Sequence, residues 1–283
     1  MEEKKVLTLE SFCHTDIPGL IDLSASVGWD YDQDEIDTVL GSGRIFGHRN
    51  AEGIIVSSAA IIQYEKVASL GMVIVNEQYR GMGLGKEATQ QCIDSVPENT
   101  TILLIATEEG VPLYENMGFK VVDHVHKYIS DGMKGPNPSK LYLDEYKESD
   151  LEGVIKVDER AFGDNRRPFL INRIKQSKNC VVVKDEHSHI IGYGMSVLGP
   201  VNLIAGPIVA PDHQTAEEIF RKLSSFHQGR VRIDVPAGQD AFRRFLEDQG
   251  FTQVNAPPVM ALNAVVMPQR NRELYGIAAQ IFG

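Results

Sequence analysis

A glycine-rich segment at residues 78–86, Gln-Tyr-Arg-Gly-Met-Gly-Leu-Gly-Lys, has the composition of an anion-binding loop. It follows the apolar run 73–75 and precedes a stretch rich in Ala, Glu and Gln, so we predict a strand, a tight turn and a helix in that order. Glycines let the backbone turn sharply, and the first N–H groups of a helix have no partner within it. Together these features predict a cradle for a pyrophosphate.

Single residues argue against two other kinds of phosphate loop. A P-loop needs Ser or Thr after its Gly-Lys pair and an earlier glycine, but this chain has Glu87 and Arg80 at those positions. A Rossmann loop would need a glycine where Lys86 stands, and no strand–helix–strand unit precedes it. A tight turn without any ligand would not require three alternating glycines beside Arg80 and Lys86.

Two motifs together resemble one known family. Gln78-x-x-Gly81-x-Gly83 resembles the acetyl-CoA signature of the GNAT superfamily of N-acetyltransferases, and Tyr114 of Tyr-x-x-x-Gly-Phe stands where that family keeps its catalytic tyrosine. The resemblance covers residues 1–130 in element order. It implies an α+β (mixed α/β) fold in which a splayed mixed sheet flanked by helices holds acetyl-CoA between strands 68–76 and 101–107.

The resemblance also implies which residues bind the cofactor. Backbone groups of Val73 and Val75 would bond the pantetheine arm, and the loop amides would bind the pyrophosphate. Many members have an asparagine seven residues before the tyrosine, but this chain has Thr107, so we expect a weaker side-chain contact there. The implied cofactor-binding set is Met72, Val73, Val75, Gln78, Tyr79, Arg80, Gly81, Met82, Gly83, Leu84, Gly85, Lys86 and Thr107.

The implied reaction is direct attack of a primary amine on the thioester. An alkyl ammonium with a pKa of ~10.4 must first lose a proton, which costs roughly 4.6 kcal/mol at pH 7 and requires a base. Tyr114, the predicted catalytic acid, would protonate the leaving thiolate, and a backbone N–H near Val73 would stabilise the oxyanion. The base stays open among Glu65, Glu77, Glu108, His124 and His126.

Residues 27–35 connect the first two predicted helices and hold the only tryptophan among several carboxylates. In the family this connection covers the acceptor, which implies an aromatic wall and acidic attraction of a small cationic amine or polyamine. The open alternative is that Asp32 and Asp34 cap a helix while the tryptophan packs on the core. The predicted substrate-binding residues are Trp29, Asp30 and Tyr31.

The chain repeats itself. Residues 7–21 match 141–155 at an offset of 134, and residues 114–119 match 246–251 at an offset of 132. Each copy predicts a strand, two helices, three strands, a helix, a strand, a helix and a strand. We therefore predict a tandem duplication, with a catalytic domain at 1–132, a linker at 133–140 and a second GNAT-like domain at 141–283.

The second copy lacks the residues that carry the chemistry. At the offset of 134, Glu217 stands opposite Gly83, and Leu246 stands opposite Tyr114 at the offset of 132. A carboxylate repels a pyrophosphate, and leucine cannot donate a proton. We expect a degenerate domain that completes the acceptor cleft, or binds a regulatory ligand or a second subunit, so a homodimer is left open.

Composition limits the partners. The 283 residues carry a net charge of −11, all of it within residues 1–134, which excludes the basic face of a nucleic-acid-binding protein. No apolar run approaches ~18 residues and no secretory signal is present, so we expect a cytoplasmic protein without a membrane partner. No metal site is predicted, because the two His-x-His pairs have no evident third ligand.

Two further functions are carried as alternatives. One is an acetyl-CoA-binding sensor or scaffold protein without turnover. The other is acylation of a protein N-terminus or lysine, which needs an open peptide groove that the second domain is expected to obstruct. Thiol release from acetyl-CoA with a panel of amines distinguishes these from a small-molecule N-acetyltransferase.

Overall fold

The computed structural model describes residues 7–132, 143–225 and 227–283, so the predicted linker at 133–140 lies outside the described residues. In those three segments the helices are α1 Ile17–Ser26, α2 Gln33–Ser42, α3 Leu84–Asp94, α4 Val111–Glu115, α5 Leu151–Phe162, α6 Arg167–Gln176, α7 His213–Ser224 and α8 Asp240–Asp248. The strands are β1 Thr8–Phe12, β2 Arg44–Arg49, β3 Ile55–Gln63, β4 Val67–Val75, β5 Thr101–Ile105, β6 Lys120–Ser130, β7 Asp144–Glu145, β8 Asn179–Lys184, β9 Ile190–Leu198, β10 Leu203–Val209, β11 Val231–Pro236, β12 Thr252–Asn255, β13 Pro258–Leu262 and β14 Leu274–Gly276.

These strands form one continuous mixed sheet in the order β1-β2-β3-β4-β5-β13-β6-β11-β10-β9-β8-β7, with β12 beside β6 and β14 beside β10. Two neighbouring pairs, β4 with β5 and β10 with β11, run parallel. They occupy corresponding places in the two halves of the chain. The mixed α/β fold, the splayed sheets and the tandem arrangement predicted from the sequence are confirmed.

The two halves exchange strands. In the first half, β13 lies between β5 and β6, with Met260 opposite Leu104 and Val121. The distal part of β6 continues into the second half, where it lies between β11 and β12. Each half is therefore completed by a strand from the other, and the division at 1–132 and 141–283 stays a prediction.

A shared core joins the halves. Helix α2 packs against α6, its counterpart in the second copy. The buried guanidinium of Arg173 on α6 pairs with Glu35 on α2, and it donates to the carbonyl oxygen of Ala278 at 2.7 Å. The C-terminal segment 277–283 is buried along this junction, where the hydroxyl of Tyr64 donates to the carbonyl oxygen of Phe282 at 2.9 Å.

Local sequence explains where the helices near the site begin. Asp32 is the N-cap of α2, and its carboxylate accepts the backbone N–H of Glu35 at 2.8 Å. Helix α3 begins instead after Gly83, which has a left-handed backbone and makes no side-chain cap. No helix of the described segments is long and apolar enough to cross a membrane.

Candidate active site

A gap opens between β4 and β5. Parallel pairing covers only Val67 to Leu70 on β4, against Thr101 to Leu104 on β5. Beyond Leu70, β4 continues to Val75 with β3 as its partner. The strands therefore splay at the place where the resemblance puts the pantetheine arm, and the half-buried Val73 and Val75 lie on the splayed part.

A bulge shapes β4 beside this gap. The register with β3 shifts between Ser58 and Ala60, and Met72 has a φ of +52°, unusual for a residue other than glycine. The hydroxyl of Ser58 donates to the carbonyl oxygen of Met72 at 2.8 Å. That bond fixes the bulged residue immediately before Val73, and the predicted oxyanion donor is a backbone N–H near Val73.

The glycine-rich loop follows β4 through a short 3-10 turn at Glu77–Tyr79. The side chain of Asn76 accepts the N–H of Gln78 at 3.1 Å, and the hydroxyl of Tyr79 accepts an N–H from Asn50 at 3.1 Å. These bonds anchor the entry to the loop. Arg80 and Lys86 are exposed beside it.

Gly81 and Gly83 have φ angles of +78° and +83°, and a Cβ built at either would meet no atom within 4 Å. Glu87 donates the first regular helical bond, to the carbonyl oxygen of Gly83 at 3.0 Å. The amides of Leu84, Gly85 and Lys86 therefore have no partner within α3. An open cradle of backbone N–H groups at a helix N-terminus fits a pyrophosphate.

Gly85 has a different structural role. A Cβ there would lie 3.3 Å from Cγ2 of Val75 and 3.9 Å from Cγ1 of Val73. The absence of a side chain lets the first turn of α3 lie close against β4. The loop and the gap are consequently held side by side.

Tyr114 lies on α4, just past the end of β5. Its ring is mostly buried and contacts Phe119 at a centroid distance of 5.9 Å and an interplanar angle of 66°. A Cβ at Gly110 would lie 3.0 Å from Tyr114 Cε2 and 3.2 Å from Thr107 Oγ1, so Gly110 separates these two predicted site residues. Burial raises the pKa of Tyr114 above its usual value, which keeps the phenol protonated at neutral pH.

A cavity of about 300 Å³ lies between the two halves. The predicted substrate-binding residues Trp29, Asp30 and Tyr31 line it, and so does Thr107 from the predicted cofactor set. Residues beyond the first 132 supply much of the opposite wall, among them Gln176, Val197, Arg232, Asn255 and Gln280. The structure thus brings together the connection 27–35, the segment after β5 and several elements of the second half, which are far apart in the sequence.

The connection 27–35 combines features of both sequence hypotheses. Asp32 caps α2, as one of them predicted, whereas Asp34 makes no such cap and does not line the cavity. Trp29 is 38% exposed and lies 6.2 Å from Tyr31 between ring centroids, so it is not a core residue. Burial, followed by the charges of Glu35 and Asp30, raises the pKa of Tyr31 and keeps it neutral.

Two cationic residues of the cavity had no sequence signal. Lys127 on β6 and Arg232 on β11 lie on adjacent antiparallel strands, with Lys127 opposite Asp234. Burial and then the charge of Arg232 lower the pKa of Lys127, against a smaller opposing effect of Asp234. Burial also acts to lower the pKa of Arg232, but the neighbouring Asp234 keeps the pKa of Arg232 above its usual value.

The structure narrows the candidate bases. Glu65 precedes β4 and lies at the opposite end of that strand from the gap. The gap opens six residues later, roughly 20 Å away at 3.3 Å per residue, so the expected position of Glu65 facing the gap is wrong. His126 lies near Arg243 of α8 and Gln253 of β12, and the cavity lining includes neither it nor His124. Glu77 and Glu108 are exposed near the splayed ends of β4 and β5.

The corresponding gap of the second copy is filled by the chain itself. Pairing of β10 with β11 stops at Ile204, and β14 then pairs with β10. The N–H of Ile277 donates to the carbonyl oxygen of Asp234 at 2.9 Å. A Cβ at Gly206, which corresponds to Met72, would lie only 2.0 Å from the carbonyl oxygen of Ile277. This filled gap supports the expectation of a degenerate second copy.

Comparison with known families and relatives agrees with this geometry. Two family models, each described as an acetyltransferase (GNAT) domain, match this chain, one over residues 35–134 and the other over residues 154–276. Over 270 residues the chain is 35% identical to the uncharacterized N-acetyltransferase YitH of Bacillus subtilis (strain 168), covering 94% of this chain and 95% of the relative.

Solved structures share the whole fold. A Pyrococcus horikoshii protein assigned to the acetyltransferases superposes with a TM-score of 0.82 at 19% identity, over 100% of this chain and 99% of the other. A tandem GNAT protein from the clavulanic acid biosynthesis pathway superposes with a TM-score of 0.64 at 13% identity, over 91% and 98%. At these identities the likeness concerns the fold alone.

Proposed function

The chain belongs to the GNAT acetyltransferase family and is an N-acetyltransferase, and from that premise we propose that it moves an acetyl group from acetyl-CoA to a primary amine of a small acceptor. Residues 1–132 carry the cofactor and the acid in this proposal. Residues 141–283 close the acceptor cavity.

The observation that carries the proposal is the placement of the gap, the loop and one edge of the cavity at the same ends of β4 and β5. The splayed end of β4 leads directly into the loop with the open N-terminus of α3. Thr107, immediately beyond β5, lines the cavity between the halves. A thioester held in the gap would therefore be reached from the cavity side, and walls from both halves favour a small acceptor over a folded protein.

Acetyl-CoA supplies an activated acyl group when bound, and the chain's own residues position it and move protons. The amine nitrogen forms a bond to the thioester carbonyl carbon, and the carbon–sulfur bond breaks. Tyr114, kept protonated by burial, donates its proton to the departing thiolate. The N–H of Val73, after the bulge at Met72, stabilises the negative oxygen. The proton lost by the amine leaves through water or one of the exposed carboxylates.

The test is thiol release from acetyl-CoA with a panel of small amines. We expect release with at least one amine, and a rate that falls strongly in Tyr114→Phe while coenzyme A still binds. Tight binding of acetyl-CoA without thiol release for any amine would instead favour a sensor. Absence of coenzyme A binding would reject the proposal.

A further inference from the structure

The inner wall of the cavity holds a cation without a partner. Lys127 lies on β6, is half-buried and lines the cavity. Among the described residues its ammonium makes neither an ion pair nor a hydrogen bond. A partly buried ammonium without a partner costs free energy, because it has lost part of its hydration.

Arg232, on the neighbouring strand, is a second cation, and only part of its guanidinium is hydrogen-bonded. Its Nε and Nη2 both donate to the same oxygen of the buried Asp234, at 3.0 and 2.7 Å. In the part of the chain that the structure describes, Nη1 has no acceptor. The guanidinium is therefore held in one orientation, and its Nη1 remains able to donate a hydrogen bond to a ligand.

The acidic residues of the opposite wall form no ion pair with these cations, although the charge of Asp30 acts to raise the pKa of both. Asp32 is engaged as the cap of α2, and Glu35 is paired with Arg173 and accepts from Gln176 at 2.9 Å. Asp30 is exposed at the rim. The cavity is consequently bipolar, with an acidic rim and a basic inner wall.

We propose that the acceptor carries an acidic group, a carboxylate or a phosphate, in addition to its amine, and that Lys127 and Arg232 bind this group. The inference rests on the proposed function, because it names the acceptor class of the same site. The acidic group pairs with the ammonium of Lys127 and with Nη1 of Arg232. The amine is left toward the end of the cavity that Thr107 lines.

The proposed acceptor differs from the small cationic amine or polyamine expected from the sequence. A purely cationic acceptor would meet Asp30 at the rim but would then be repelled by the net positive charge inside, because Asp234 balances only one of the two cations. An acceptor with both charges is attracted at both walls. Burial and the charge of Arg232 lower the pKa of Lys127 more than the charges of Asp234 and Asp30 raise it, and a bound anion would compensate for the lost hydration.

The first experiment compares matched acceptors by thiol release from acetyl-CoA. Lysine is compared with cadaverine to test a carboxylate, and O-phosphoethanolamine with ethanolamine to test a phosphate. We expect the acidic member of at least one pair to have a kcat/KM about 10- to 150-fold higher, the range for a hydrogen bond to a charged group. Equal values within both pairs, or preference for the cationic members, would overturn the inference.

The variants test the assigned residue. Lys127→Met should abolish the preference for the acidic member, and Lys127→Arg should retain most of it, since arginine keeps the charge but cannot act as a base. Lys120→Met removes an exposed lysine from the same strand outside the cavity and should behave as wild type. Loss of rate in Lys127→Arg for the acidic and the cationic members of both pairs alike would assign Lys127 to proton transfer instead, and so overturn the binding role.

A binding measurement separates this inference from the proposed function. Calorimetry with lysine and with O-phosphoethanolamine, in the absence of acetyl-CoA and in the presence of coenzyme A, requires no turnover. Heat that disappears in Lys127→Met but persists in Lys120→Met supports the anion site even if no thiol is released. Coenzyme A binding without heat from either acidic amine would overturn the inference while leaving the proposed function intact.

Discussion

Replacing Gly83 by alanine distinguishes the backbone strain in the loop, measured as a loss of stability, from the contribution of the loop to phosphate binding. Gly83 has a φ of +83°, and an added Cβ would meet no atom within 4 Å. The cost to the fold is therefore left-handed backbone strain alone, about 1–2 kcal/mol. For a chain of this size we expect the Tm to fall by roughly 2–6 °C.

The affinity for coenzyme A should fall by more than the strain accounts for. The methyl group would stand at the mouth of the cradle formed by the amides of residues 84–86, which α3 leaves without partners. A hydrogen bond to a charged group contributes about 1.5–3 kcal/mol, so displacing the pyrophosphate from one amide raises the Kd by about 10- to 150-fold.

Gly238→Ala is the matched control. Gly238 has a φ of +86° and equally open surroundings, but it lies in the turn between β11 and α8 of the second half. Both variants are compared by thermal unfolding and by calorimetric titration with coenzyme A. We expect similar losses of Tm and a raised Kd only in Gly83→Ala. If the two variants bind coenzyme A equally well, the loop does not hold the pyrophosphate and the reasoning is refuted.

Three other substitutions probe the acid, the junction and the filled gap. Tyr114→Phe should lower kcat about 100-fold or more, and an unchanged kcat would remove Tyr114 from the mechanism. Because burial raises the pKa of the phenol, the wild-type rate should show no tyrosine-dependent fall below pH 10. Arg173→Met leaves Glu35 unpaired and should reduce the free energy of unfolding in urea by about 3–5 kcal/mol, whereas a loss below about 1 kcal/mol would contradict a stabilising junction. Gly206→Ala places a methyl group against the carbonyl oxygen of Ile277 and should speed hydrogen exchange in residues 274–283; unchanged protection there would show that the segment tolerates the clash.

The glycine-rich loop could be predicted because its physics is local. Strand β4, the turn with Gly81 and Gly83 and the start of α3 are contiguous in the chain, and positive φ angles at those glycines follow from neighbouring residues. The cap at Asp32 is equally local. The two repeats were also visible, since a constant offset needs no knowledge of contacts.

Only the tertiary structure decided how the halves complete each other. The pairing of β13 with β5 joins residues more than 150 positions apart. The filling of the second gap by β14 joins residues about 65 to 68 positions apart. Alternation along β6 tells which residues share a face, but not which face meets the cavity. The positions of Lys127 and Arg232 therefore emerged only once the exchanged strands had placed β6 beside β11. Local backbone preferences specify a loop, whereas a cavity between two halves is specified by long-range packing that no short stretch of sequence encodes.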